Sequence, residues 1–492
     1  MVSFAKRLFS VLARLSRFDR LMLATIAILS VSIAIVLGQG DHSILQVKDF
    51  SWDSRIVSST DEEFSLQFNR PVDQASVEEN LTIDPPLPGT VSWAGNQLFY
   101  TLAERPIYGR NYQIQLQSAK QSYGNAHSEP FVALFTTRDR AFVYIGISGE
   151  ERGRLVLLNN TQQQKLILTP PDLVVTDYDI YPDGNKIVFS AYEPTGRTQQ
   201  ENRQRLYTVT TGLNFQPGTE DQKAGRLKLL LDAKDYDNVK FAVSENGNTL
   251  IVQRKNRRNQ TDDSLWVMTD ESTPRPLGIP GGEFVIAPDG KTITVAQQGG
   301  ILIEPLVAET GGRRFLPGYE KSLGFSADGS QQFVIKDNSD FTRSLYRLER
   351  NGKSEELFKT VNPIVTCELE PRQEKVIYCL KTDLVADELG KYQEEPYLSA
   401  IDLTTGIDAP LLALPNYRDV KMSMSADGVA LLFDQVIVSN VDDPQAITIR
   451  PNKAIADGRL WLFTLPELDG ETELSEFLPE ELNPGFNPKW LP

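Results

Sequence analysis

Histidine and cysteine, which carry much nucleophilic and metal chemistry, are scarce in this 492-residue chain: His42, His127, Cys367 and Cys379 are all there are. A Ser-His-Asp triad or a His-rich metal site needs an imidazole, and none occurs beyond His127. His127 itself lies in a Gly-Asn-Ala-His-Ser stretch that reads as a solvated loop. Asp232, Asp235 and Asp237 have a calcium-like spacing, as do Asp177 and Asp179. Neither group is followed by the Gly and bidentate Glu of an EF-hand loop, and turn formation alone accounts for Asp-rich connections. Phosphate-cradling loops and dinucleotide fingerprints are missing. So is a Gly-x-Ser-x-Gly elbow between strand and helix, which excludes an α/β-hydrolase peptidase. A carboxylate pair for glycosidase or lyase chemistry could be drawn from 66 acidic residues, but no spacing singles one out. The chain is therefore expected to be non-enzymatic, with no catalytic, cofactor-binding or metal-ligating residue and no cofactor.

The two cysteines flank Gln373 symmetrically, six residues away on either side. On paired strands in an oxidising compartment they could form a cross-strand disulfide. As buried free thiols they would behave as small apolar residues. Either role is structural.

The elements that must position these residues are hairpins. Tyr181-Pro182-Asp183-Gly184 precedes the apolar run Ile187-Val188-Phe189, and Ala287-Pro288-Asp289-Gly290 precedes Thr292-Ile293. Looser copies stand at Phe325–Gly329, Met424–Gly428 and Val243–Gly247, with a degenerate one at Leu369–Gln373. Asp accepts backbone hydrogen bonds in a tight turn, and Gly supplies the positive φ. Aligned on the Gly position, the copies fall at 184, 247, 290, 329, 373 and 428, at intervals of 63, 43, 39, 44 and 55 residues. A four-stranded propeller blade takes roughly 40–50 residues, so the longer intervals carry insertions. These are Glu193–Gln204, Thr211–Arg226 and Asp383–Glu395. A truncated last copy, Asn483–Leu491, supplies one strand. Its partners are expected at Ala141–Ile147, Arg154–Leu158 and Lys165–Leu168, so that both ends of the domain build one blade and close the ring. The count points to seven blades, with six or eight open.

These motifs resemble the repeat of TolB and related periplasmic propellers, over about Arg140 to Pro492. The resemblance implies a fold more than a function, because such propellers serve as binding platforms, ligand sites and enzyme appendages. From Gln46 to Asp139 short strands alternate instead, as in Phe64, Leu66 and Phe68 against Ser65, Gln67 and Asn69. There Phe68–Asp73, Leu98–Thr101, Tyr108–Tyr112, Tyr123–Asn125 and Phe135–Thr137 resemble the bacterial Ig-like domain of S-layer proteins such as SbsA. That likeness implies a β-sandwich acting as spacer or adhesive module.

Charge is uneven. The first 20 residues hold Lys6, Arg7, Arg14, Arg17 and Arg20 against Asp19, or +4, leaving −20 of the net −16 on the remainder. An acidic body repels phosphate backbones, so no nucleic acid is expected as partner. Leu21–Gly38 has no charged residue, and at about 1.5 Å per residue its length suffices for a bilayer core. It reads as a transmembrane anchor rather than a cleaved signal peptide, because no Ala-x-Ala site follows. Residues 1–20 would form a basic cytoplasmic leader with a rough apolar stripe of Phe4, Leu8, Val11, Leu12, Leu15 and Phe18.

The expectation is thus all-β: an N-terminal transmembrane helix at 21–38, an Ig-like β-sandwich at 46–139, and a seven-bladed TolB-like propeller at 140–492, closed by its C-terminal strand. The expected function is a scaffold of the bacterial envelope, on the periplasmic side of the inner membrane. Its partners would be other envelope or membrane proteins, with Glu193–Gln204, Asp383–Glu395 and Val438–Asp457 as contact loops. An envelope carbohydrate-binding or carbohydrate-cleaving propeller is the alternative. It needs a channel-end pocket lined by Asp, Glu and exposed Tyr or Trp, whereas Phe189, Phe325 and Phe433 read as blade core.

Overall fold

Each hairpin turn is built by the same two devices. The Asp side chain accepts the backbone N–H two residues on, at 3.1 Å for Asp183 to Asn185, 3.0 Å for Asp289 to Lys291 and 2.9 Å for Asp328 to Ser330. Gly184, Gly247, Gly290, Gly329 and Gly428 all have φ between 65° and 74°, a region that L-residues avoid. In the degenerate copy the positive φ, 51°, falls on Glu374. That turn is therefore offset by one residue from the alignment on Gln373, which itself lies outside the described residues.

The computed structural model describes residues 17–39, 44–58, 61–123, 127–194, 203–213, 223–307, 311–372, 374–386, 390, 392–414, 420–439, 447–450, 453–465 and 478–492. Most of the basic leader, His42, most of the insertions at 193–204 and 211–226, and residues 440–446 and 451–452 of the insertion at 438–457 lie outside these.

Residues 45–137 form two four-stranded sheets around one core. Val47–Phe50, Glu63–Phe68, Gln97–Leu102 and Gly89–Ala94 make the first; Ile56–Val57, Phe131–Thr137, Asn111–Leu116 and Leu81–Asp84 make the second. Period-2 alternation puts Phe64, Leu66 and Phe68 of the first against Tyr112, Ile114 and Phe135 of the second. Trp52 packs between them at a steep angle, its ring 5.3 Å from Phe64 and 5.1 Å from Phe135.

Beyond residue 140, five separate four-stranded antiparallel sheets follow in chain order, each built from four consecutive strands. We number them blades 2 to 6: Val174–Leu231, Tyr236–Pro280, Phe284–Pro317, Lys321–Thr360 and Ile364–Ala413. The first strands of successive blades are neighbours, as around a common axis. This is a β-propeller.

The expected closure takes another form. Among the described residues no sheet closes on itself. Instead the terminal strand Glu480–Trp490 fuses the first and last blades into one eight-stranded sheet. Its first half pairs with Lys453–Thr464 of blade 7 (Leu462 opposite Glu480, Arg459 opposite Pro484). Its second half pairs with Ala141–Gly146 of blade 1 (Phe486 opposite Ile145, Trp490 opposite Phe142). The crossover falls at Gly485, where a Cβ would meet the Tyr144 ring at 2.6 Å.

The transmembrane anchor is not upheld. A helix, Arg17–Gln39, does form there, but among the described residues no helix is long and apolar enough to cross a membrane. Its described apolar side chains, among them Leu21, Met22, Ile26, Ile28, Leu29, Val31 and Ile33, are exposed. Thr25, Ser30 and Ser32 interrupt them, and the Thr25 hydroxyl donates back to the Leu21 carbonyl at 2.9 Å. The inner-membrane localisation and the membrane as partner lose their support with it.

Trp490 is buried against Phe142, and the Arg140 guanidinium lies 4.7 Å from the centre of its ring. Trp490→Ala is expected to destabilise the chain by about 3–5 kcal/mol, read as a lower urea midpoint with the slope unchanged. An unaltered midpoint would mean that the fused sheet contributes nothing to folding.

Candidate functional site

Two hairpins outgrow their blades. In blade 6 the second and third strands, Val376–Ala386 and Tyr392–Asp402, have 11 residues each. The first strand pairs no further than Lys381 and the fourth no further than Tyr397. Beyond those points Asp383–Glu395, Leu384–Glu394 and Ala386–Tyr392 form a two-stranded ribbon. In blade 7, Ala430–Ser439 and Lys453–Thr464 extend in the same way. A second-to-third strand connection lies at the opposite end of a blade from the Asp-Gly turns. Both ribbons therefore rise from one face.

The blade 6 ribbon leaves apolar side chains in solvent. Leu384 is 62% exposed and Tyr392 69%. Opposed residues share a face of a ribbon, so Leu384, Ala386 and Tyr392 stand together on one side and Asp383, Val385 and Glu395 on the other. Ile437 is likewise exposed on the blade 7 ribbon.

The axis carries a different chemistry. Each blade bears a charge on or just before its first strand: Lys489, Asp179, Lys240, Glu283, Lys321, Glu368 and Lys421, in order round the ring. Lys489 Nζ lies 2.9 Å from Asp179, and Lys240 is paired with Glu283. Burial disfavours the Lys489 ammonium, but Asp179, Asp177 and Glu368 outweigh it and hold its pKa above the ordinary value. Burial also disfavours the charge on Glu283, yet Lys240, Lys321 and Lys421 keep its pKa low. Glu368 is pushed up to about 7 by burial, against the pull of Lys489. Asp434, buried between blades 7 and 1, is raised to about 6 by desolvation although the N–H groups of Lys421 and Asn487 both donate to it at 2.7 Å.

The acids singled out in the sequence are absorbed by neighbours. Asp179 holds Lys489, and Asp177 accepts from Asn487 Nδ2 at 3.0 Å. Asp232, Asp235 and Asp237 pair with Lys234, Arg258 and Arg257. Among the described residues no group of three His, Cys, Asp or Glu could hold a metal ion. Cys367 and Cys379 stand directly opposite on paired strands and are bonded, S–S 2.02 Å. His127 bridges Lys120 in the two-sheet unit.

At the Asp-Gly end, a cleft of about 600 Å³ between blades 2 and 3 is lined by Asp183, Glu245, Asp270 and Glu271. Its aromatic, Tyr181, is only 6% exposed, and Lys186 and Lys228 both hold Glu271. No tryptophan lines it. Phe189 and Phe433 lie in the core; Phe325 instead lines a cleft between blades 4 and 5.

Sequence reasoning missed the axial charges. Their signal was a charged residue at a recurring position on or just before each first strand, visible only once the blades are aligned.

No protein-family model matches this chain, and no curated protein matches it in sequence. Among solved structures it is similar to TolB from Acinetobacter baumannii, at 13% identity over 84% of this chain and 83% of that one, with a TM-score of 0.38. It is also similar to a puromycin hydrolase (14% identity, 78% of this chain and 59% of that one, TM-score 0.41). A third is a chain of a nidogen/laminin complex (12% identity, 56% and 93%, TM-score 0.33). The propeller assignment rests on the strand pairing itself.

The raised carboxyl at Glu368 has a consequence for stability. Between its usual value of 4.5 and about 7, the folded chain keeps a proton that the unfolded chain has released, so stability falls as pH rises through that window. Glu368→Gln is expected to flatten this slope and to add about 2 kcal/mol at pH 8. Urea unfolding at pH 5 and pH 8 checks it; equal slopes in both proteins would contradict the assignment.

Proposed function

We propose that this chain is a non-enzymatic, protein-binding propeller that engages its partner on the face bearing the long hairpins. The observation that carries the reading is the blade 6 ribbon, where Leu384, opposite Glu394, and Tyr392, opposite Ala386, lie diagonally on one face and are both exposed. Exposed apolar residues on a protruding element, rimmed by charge, are what a protein interface uses as anchors. The Cys367–Cys379 bond supports work in an oxidising compartment such as a cell envelope. In this reading the two-sheet unit is a spacer, the role implied by its resemblance to SbsA-type Ig-like domains. It meets the Asp-Gly face, where Arg372 Nε reaches Glu62 at 2.6 Å, and so leaves the hairpin face open. A scaffold in an envelope assembly fits this arrangement. The carbohydrate reading is disfavoured by the buried aromatic and the lysine-bound Glu271 at the Asp-Gly end.

The test is affinity capture with the full chain, comparing wild type with Leu384→Asp/Tyr392→Asp. The variant should fold with an unchanged melting temperature and retain about tenfold less bound protein, because its apolar anchors are charged. Equal recovery by the variant, or no bound protein with wild type, would overturn the proposal.

A further inference from the structure

Neighbouring blades of this propeller are glued by apolar clusters. Such clusters fill the seams between blades 1 and 2, 2 and 3, 3 and 4, 5 and 6, 6 and 7, and 7 and 1. Among the described residues the seam between blades 4 and 5 has none. It holds a cleft of about 660 Å³ instead, within the range of small-molecule sites.

The hairpin repeats show why. The fourth residue after each left-handed turn position faces the next blade: Val188, Ile251, Thr294, Phe333, Tyr378 and Leu432. The third faces the preceding blade: Ile187, Leu250, Ile293, Gln332, Ile377 and Leu431. Only Thr294 and Gln332 are polar, and they meet at the same seam, both lining the cleft. Both are buried. Two polar substitutions on facing strands, at positions where every other blade is apolar, weaken the glue at one seam and give its floor hydrogen-bonding groups. Within the fold Gln332 Nε2 donates to Ser322 Oγ at 3.0 Å and the Thr294 hydroxyl donates to the Val285 carbonyl at 3.4 Å.

The rim adds charge. Lys291, Arg314 and Arg350 line the cleft, and among the described residues none of their side chains forms an ion pair. The two carboxylates beside them are engaged locally: Asp289 caps its own turn by accepting from the Lys291 N–H, and Glu349 holds Asn351 and Lys353. Phe325 and Leu348 supply apolar wall. Arg350 also feels the nearby Asp328 carboxylate, but in a chain of net charge −16 three cations without an ion pair among the described residues, lining one cleft, favour an anion.

We propose that the seam between blades 4 and 5 is a binding site for a small amphipathic anion, with its apolar body in the cleft and its acidic group at Lys291, Arg314 and Arg350. The site is separate from the hairpin face and does not depend on the protein-binding reading.

The probe is 8-anilinonaphthalene-1-sulfonate, an aromatic body bearing one anion, titrated into the folded full chain by fluorescence. Its uncharged counterpart, N-phenyl-1-naphthylamine, is titrated in parallel. Wild type should bind the sulfonate and bind the neutral dye about tenfold more weakly. Arg314→Gln/Arg350→Gln should lose about tenfold for the sulfonate only. Thr294→Val/Gln332→Leu, nearly unchanged in volume, should make the floor apolar as at the other seams and weaken sulfonate binding by removing its hydrogen-bonding groups. Failure of wild type to bind, equal affinity for the two dyes, or undiminished binding by either folded variant would overturn the proposal.

Discussion

Everything in the propeller depends on one strand serving two sheets. Glu480–Trp490 leaves blade 7 and enters blade 1 without a break, which ties the end of the chain to the segment just after residue 140. The tie is polar as well as apolar. The Tyr178 hydroxyl of blade 2 lies 2.6 Å from the carbonyl oxygens of both Val143 and Asn487, and Trp490 N–H donates to Ser423 Oγ at 3.1 Å. Buried groups so placed have no alternative partner, so losing the strand would orphan several at once.

An odd number of blades imposes a second constraint. Around the axis the charges alternate, Asp179, Lys240, Glu283, Lys321, Glu368, Lys421, but seven positions cannot alternate all the way round. The mismatch, Lys421 next to Lys489, falls where the shared strand passes. There Asp434 is buried and accepts from the backbone on both sides. Its raised pKa reflects desolvation exceeding that help. The electrostatic seam and the structural seam therefore coincide.

The two proposed binding surfaces, by contrast, sit where the repeat is broken. Regular blades have short hairpins and apolar seams; blade 6 lengthens one hairpin, and the pair of blades 4 and 5 loses one apolar contact. A repeat gives each position an internal reference, so an exception such as Thr294 among Val, Ile, Phe, Tyr and Leu carries information that no isolated Thr would.

The repeat itself was legible because Asp-Gly turns and alternating apolar residues act locally, through backbone geometry and the pleat. The cysteine positions were legible for the same reason, although the turn between them sits one residue later than its sequence suggested. The apolar run after residue 20 was legible as helix, but not its relation to a bilayer. Sequence alone determined that hairpins would form and which residues would face inward. Only the tertiary structure decided that Glu480–Trp490 divides between two blades, that Glu368 and Lys489 share an axis, and that Thr294 and Gln332 meet. Those pairings join residues far apart in the chain, and local propensity cannot specify them; they arise only when all the sheets pack around one centre.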